Sequence, residues 1–314
     1  MSASKKHLLS GAACLALLGM VSLSHADEND SYVSAMRYVS LDTQRDNADS
    51  QQFSGTGSFT LGKYVWLQGT LGRINDSNSA SLGDLKNYGF GAGLKGEHLQ
   101  FTADFSHYRS DGSFRQRDVN AALDWHEERF SLGLDLFHRS TDNSIDATRS
   151  FPTLGLTNVA LHVDENLTGN GFGAHATFDI TEQLSLSLGG MGYSYDSDYQ
   201  LTSSTNPILI RRLLAKHPTL SQLVYLNNSG ITRSLALLDN SFHLGLSYQF
   251  SAALLSAQYL RDTALDSDVV TNTAMLDASI LVGDHWIVAP AIGQSKSDQA
   301  ERVTFGGLSV SYNW

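Results

Sequence analysis

Cysteine is almost absent: Cys14 is the only one in 314 residues. A chain with one thiol forms no internal disulfide and offers no cysteine pair to a structural metal. Charge is scarce as well, at 17% of residues, against about 25% in ordinary soluble domains. Positive charge is scarcer still, because 21 Lys and Arg face 32 Asp and Glu, a net charge of -11. That balance lacks the basic face of a dedicated nucleic-acid binder. Nor is there a long hydrophobic run. The longest stretch without a polar side chain, Gly11 to Val21, is 11 residues, and a spanning helix needs about 20. A bundle of transmembrane helices is excluded. If the chain crosses a membrane, it crosses with strands.

The apolar stretch has its own reading. Lys5, Lys6 and His7 precede an apolar segment from Leu8 to Leu23, and Ser24-His25-Ala26 then leads into Asp27. This is the layout of a cleavable secretory signal peptide. The expected organisation is a signal peptide over 1–26 and one exported domain over 27–314. Cleavage would remove Cys14 and two lysines, leaving a domain that is more acidic and has no cross-links.

From residue 31 onward the dominant period is 2, the period of strands. Leu99, Phe101 and Phe105 alternate with Gln100, Thr102 and Asp104; Phe130, Leu132, Leu134 and Leu136 alternate with Ser131, Gly133 and Asp135. Fourteen strand candidates follow: 31–40, 52–61, 64–73, 85–94, 99–108, 117–126, 129–139, 169–180, 184–194, 241–250, 253–261, 270–281, 285–293 and 301–314. Their connections alternate between short, as at Gly62-Lys63 and Glu127-Glu128, and long, as at 41–51, 140–168 and 195–240. Both termini fall on the short side. The pattern predicts an all-β fold: a closed antiparallel transmembrane barrel of about 14 strands, with short periplasmic turns and long extracellular loops. Closure follows because an open sheet edge in lipid leaves backbone groups unpaired. Two segments leave the count open. Residues 150–168, with Leu154, Leu156, Val159 and Leu161, carry enough apolar residues for an extra hairpin and 16 strands. The phase of 31–40 is mixed, with Tyr32, Met36 and Tyr38 on one face but Val33 and Val39 on the other.

The C-terminal segment is the most specific signal. Leu308, Val310, Tyr312 and Trp314 alternate up to an aromatic final residue. In this the chain resembles the Gram-negative outer-membrane β-barrel proteins, and in size the small monomeric porins, with no particular subfamily matched. The resemblance implies a bacterial outer-membrane location. It also implies that these four residues are an assembly signal for the barrel-insertion machinery, with membrane lipid and lipopolysaccharide as further partners.

Enzyme signatures are sparse. Gly89-Phe90-Gly91-Ala92-Gly93 lies within a strand and lacks the helix of a nucleotide loop. His138 and Ser140 share the lipid-side phase at the outer rim, where a His activates a hydroxyl in a hydrolase. That pair resembles outer-membrane lipid hydrolases, which act from the barrel's outer wall. Against it, no third residue orients the His, and His and Ser also suit a strand leaving lipid. No metal or cofactor is expected.

The lumen phase carries Asp104, Asp124, Asp135, Asp179 and Asp277, together with His126, His175 and His243. Unpaired carboxylates are costly to bury, so this phase points to a water-filled interior. Asp104, Asp124 and Asp135, from consecutive strands, predict an acidic wall near mid-height that favours cations. Within 195–240, Pro207 begins a run of helical spacing containing Arg211, Arg212 and Lys216. Two readings stand: a gate dipping into the mouth, or a surface helix. The expected function is therefore a porin-type channel for small hydrophilic solutes and no enzyme. The alternatives are the lipid hydrolase and a receptor or adhesin using the long loops.

Overall fold

The computed structural model describes residues 37–47, 50–76, 84–110, 114–151, 156–203, 238–265, 269–298 and 302–314. They form β1 (Tyr38–Asp46), β2 (Ser50–Leu61), β3 (Val65–Asp76), β4 (Asp84–Lys95), β5 (Leu99–Ser110), β6 (Arg115–Glu127) and β7 (Phe130–Phe151). The order continues with β8 (Leu156–Asp179), β9 (Leu184–Ser203), β10 (Leu238–Gln249), β11 (Ala253–Ala264), β12 (Val270–Val282), β13 (Trp286–Ser297) and β14 (Val303–Asn313). Each strand pairs antiparallel with the next, and β1 pairs with β14 from Tyr38↔Asn313 to Asp46↔Phe305. The sheet is a closed barrel of fourteen strands.

Alternation decides which way each side chain points. Outward positions carry the exposed apolar surface: Leu71, Phe90, Phe101, Val119, Leu134, Phe172, Leu244 and Leu276. Inward positions are mostly small and polar, and they bond across strands. Thr56 and Thr70 hydroxyls lie 3.2 Å apart, Thr273 and Ser295 2.6 Å, and Ser247 donates to Ser256 at 3.4 Å. The molecule is thus inverted relative to a soluble barrel. Water-insoluble side chains face out because lipid is their solvent, while the closed ladder satisfies the backbone.

At one end the connections are turns of two to four residues, with Gly62 and Gly283 taking positive φ of 72° and 66°. A left-handed backbone there costs little only for glycine. The start of β1 and the end of β14 lie at this end, which is periplasmic by the outer-membrane rule. At the other end the spacing between strands ranges from three residues (47–49) to thirty-four (204–237). Tyr312 packs against Trp286 with ring centroids 4.9 Å apart, and Trp125 meets Phe130 edge-on at 6.0 Å. These rings form part of an aromatic girdle at the periplasmic boundary.

Three expectations need correction. The first strand is Tyr38–Asp46, so much of the expected 41–51 loop is strand. Its ladders to β2 and β14 hold residues 41–46, although Thr43 and Arg45 weaken the apolar period there. The segment 140–168 is not a free loop. It extends β7 and β8 into one long hairpin, paired from Phe130↔Phe178 to Phe151↔Leu156. Leu156, Val159 and Leu161 therefore lengthen β8 against β7, while Leu154 lies outside the described residues, and the 16-strand alternative falls. Likewise β9 runs on to Ser203, so the segment 195–240 begins as strand. The signal peptide over 1–26 lies outside the described residues, as does 204–237 with Arg211, Arg212 and Lys216.

Candidate functional site: the lumen wall

The inward face of β5–β10 carries many of the ionisable side chains. Asp104 on β5 accepts from Asn120 Nδ2 on β6 at 2.7 Å. The register β6–β7–β8 aligns Asp124, Gly133 and His175 directly across from one another. A Cβ at Gly133 would collide with the His175 ring, so the glycine is what lets that ring lie across β7. His175 Nε2 lies 2.6 Å from Asp124 Oδ1 and Nδ1 lies 2.7 Å from Asp135 Oδ2. Ionised carboxylates only accept, so a ring that bridges two of them does so as the imidazolium. It offsets one of the two carboxylate charges and leaves the cluster net negative. His175 and Asp135 are each about a quarter exposed. They line the wall without being sealed in it.

The row continues, since His243 on β10 lies over Gly189 of β9, which in turn faces His175. Farther round, Asp277 on β12 accepts from the Ser256 hydroxyl, while its Oδ1 has no partner among the described residues. Asp179 accepts from Ser185 at 2.6 Å. Asp104, Asp124, Asp135 and Asp277 all face the lumen. Asp124 stands only three residues from the periplasmic end of β6 and His175 four from that of β8. Asp104 and Asp135 stand five residues in from the periplasmic ends of β5 and β7, so Asp124 and His175 are the lower members of the group.

Nearer the outer mouth, Asp118 and Arg139 form a two-bond ion pair at 2.9 and 2.8 Å. Both side chains are almost fully buried. Arg139 also lies 5.0 Å over the Phe137 ring, and Tyr193 meets Phe137 edge-on at 5.4 Å. Tyr193 and Tyr195 lie over Gly171 and Gly169 of β8.

Sequence periodicity missed a second kind of wall. Leu260, Met275 and Phe305 point inward from β11, β12 and β14 and pack together as an apolar cluster, and Trp66 lies inward over Gly91 and Gly93. The signal was present in the phase: Met275 shares the face of Thr273 and Asp277, but an isolated apolar residue there reads as noise. On the outer wall His138 and Ser140 share the lipid side as expected. His138 Nδ1 donates to Asn170 Oδ1 at 2.9 Å, and Ser140 stands opposite Arg117 and Thr168. The geometry does not join the two in a hydrogen bond.

A closed antiparallel barrel with an apolar outer surface and a polar interior defines the class: the chain is an outer-membrane β-barrel, located in the bacterial outer membrane. No known family model matches it, and no curated protein does. Among solved structures it is similar to the translocator domain of the autotransporter NalP from Neisseria meningitidis, at 14% identity over 93% of this chain and 91% of that one, with a TM-score of 0.48. It is also similar to OmpT, an outer membrane protein of Vibrio cholerae, at 10% identity over 88% and 96%, with a TM-score of 0.42. The KdgM porin is a further likeness, at 8% identity over 88% and 99%, with a TM-score of 0.40.

Proposed function

We propose that this barrel is a passive, cation-favouring channel for small hydrophilic solutes and performs no chemistry. The observation that carries the reading is the Asp124–His175–Asp135 cluster on the inner wall, in which His175 and Asp135 are each about a quarter exposed. Charge held on a barrel's inner surface is inexpensive only where water reaches it. Fourteen strands enclose more width than the eight whose side chains fill the interior. Selection then comes from size and from the field of Asp104, Asp124, Asp135 and Asp277.

Proteoliposome swelling tests this directly. Vesicles carrying the protein should swell in isosmotic small sugars or amino acids and not in large dextrans. No swelling in any small solute would contradict the channel. In the same vesicles no fatty acid should be released from phospholipid or lipopolysaccharide. Release that Ser140→Ala abolishes would install the lipid hydrolase instead.

A further inference from the structure

The outer wall carries a row of cations that the channel reading does not use. Arg73 on β3 stands directly opposite Lys86 on β4, Lys86 opposite Arg109 on β5, and Arg109 opposite Arg115 on β6. Arg117, two residues along β6, faces His107. All five Arg and Lys residues are exposed, and alternation puts them on the lipid side of the barrel at its extracellular end. Strands about 4.8 Å apart make the four-residue row about 15 Å long.

Like charges directly opposite each other across strands repel and destabilise the pair. A sheet keeps four in register at a cost unless something anionic sits on them. Arg73 pairs with Asp84, and Lys86 is also engaged within the protein, whereas Asp142 stands opposite Arg115 without forming an ion pair. Arg109, Arg115 and Arg117 have no acidic partner among the described residues, and all three lie within electrostatic reach of His107. Two other outward cations at this end provide an internal contrast. Arg261 stands opposite Phe242 and Asn272, and Lys296 opposite Asn272. Those are isolated rim residues with ordinary snorkelling geometry.

The surface next to the row completes an amphiphile's footprint. One step toward the bilayer on the same faces are Leu71, the Tyr88–His107 stack with centroids 4.6 Å apart, and Arg117. Below them come Phe90, Phe105 and Val119, all exposed and apolar. An anionic headgroup on the arginines would lay its acyl chains on that apolar wall. Guanidinium forks match phosphate oxygens in shape as well as charge.

We propose that the outer wall of β3–β6 is a binding site for the phosphate groups of lipopolysaccharide, held by Arg109, Arg115 and Arg117 with Lys86 and Arg73 at its edge. The site stands apart from the channel reading and survives its failure.

Native mass spectrometry of the protein in mild detergent micelles, titrated with rough lipopolysaccharide, tests it. The unmodified protein should hold one or more lipopolysaccharide molecules and should lose them when the lipid is dephosphorylated. The triple variant Arg109→Gln, Arg115→Gln, Arg117→Gln should bind more weakly by roughly tenfold or more, from the loss of charge-assisted bonds. Arg261→Gln with Lys296→Gln should bind like the parent. Dephosphorylated lipid binding as well as the intact form would overturn the proposal, and that comparison needs no variant to fold. So would a triple variant, still heat-modifiable on gels, that binds normally. Complete displacement by millimolar inorganic phosphate would mark a small-anion site and also overturn the lipid assignment.

Discussion

Arg139 shows how sharply the worth of one charge depends on its surroundings. Its guanidinium is buried with Asp118 inside the barrel, under Phe137 and beside Tyr195. Removing one partner of such a pair leaves the other charge without compensation, at about 3–5 kcal/mol. Arg139→Ala should therefore lower the unfolding free energy by that amount, read from the urea midpoint and slope of the loss of heat-modifiable migration. Arg139→Met combined with Asp118→Leu should come close to neutral. If the single change cost no more than the double, the pair would not be carrying its charge in a desolvated place. His175 is the contrasting case. It is wetter, and its effect is on charge rather than on folding, because it offsets one carboxylate of the cluster it joins. Its identity on the lumen phase was legible in the sequence, but its two partners were not. Period 2 assigns faces, whereas register decides which residues on a face meet.

At the scale of the strand, legibility followed the bilayer. Where lipid touches both ends of an outward run, as at Leu99, Phe101 and Phe105 or at Phe130 to Leu136, every second residue must be apolar and the strand can be read directly. Beyond the lipid that demand ends. The far parts of β7, β8 and β9 are held by hydrogen-bonded pairing without a regular apolar face, and their sequence therefore resembles a loop. The end of β1 was misplaced for a related reason, since its outward side passes from Leu41 to Thr43 and Arg45. The cation row on β3–β6 was equally hidden: only Arg73 stands out in sequence, and the others join it through three registers. The closing strand carries its own prediction. Leu308, Tyr312 and Trp314 are exposed on the lipid side, and Trp314 N–H donates to Arg37 O at 3.2 Å. We expect Trp314→Asp to reduce the amount of folded barrel in outer membranes severalfold, because it puts a charge into the aromatic girdle and into the segment that the family resemblance makes an assembly signal. Unchanged levels in fractionated membranes would remove the assembly role of Leu308, Val310, Tyr312 and Trp314.

At the scale of the whole barrel, the interior has two unlike walls. The β5–β10 side carries Asp104, Asp124, Asp135, His175 and His243, while Leu260, Met275 and Phe305 cover part of the β11–β14 side. On the channel reading, a solute would meet a negative field strongest on the β5–β10 side, with Asp277 on β12 the exception, and that field weakens beyond about 10 Å at 0.1 M salt. The most direct test is reversal potential in a planar bilayer under a KCl gradient, measured on single channels. The account predicts steady conductance steps with cation preference that fades as salt rises. It further predicts that His175→Asn increases the preference, because Asp124 and Asp135 then lose the imidazolium between them. Replacing Asp104, Asp124 and Asp135 together by Asn should diminish it. A bilayer that stays sealed with folded protein inserted, or an unmodified channel that prefers anions, would contradict the account.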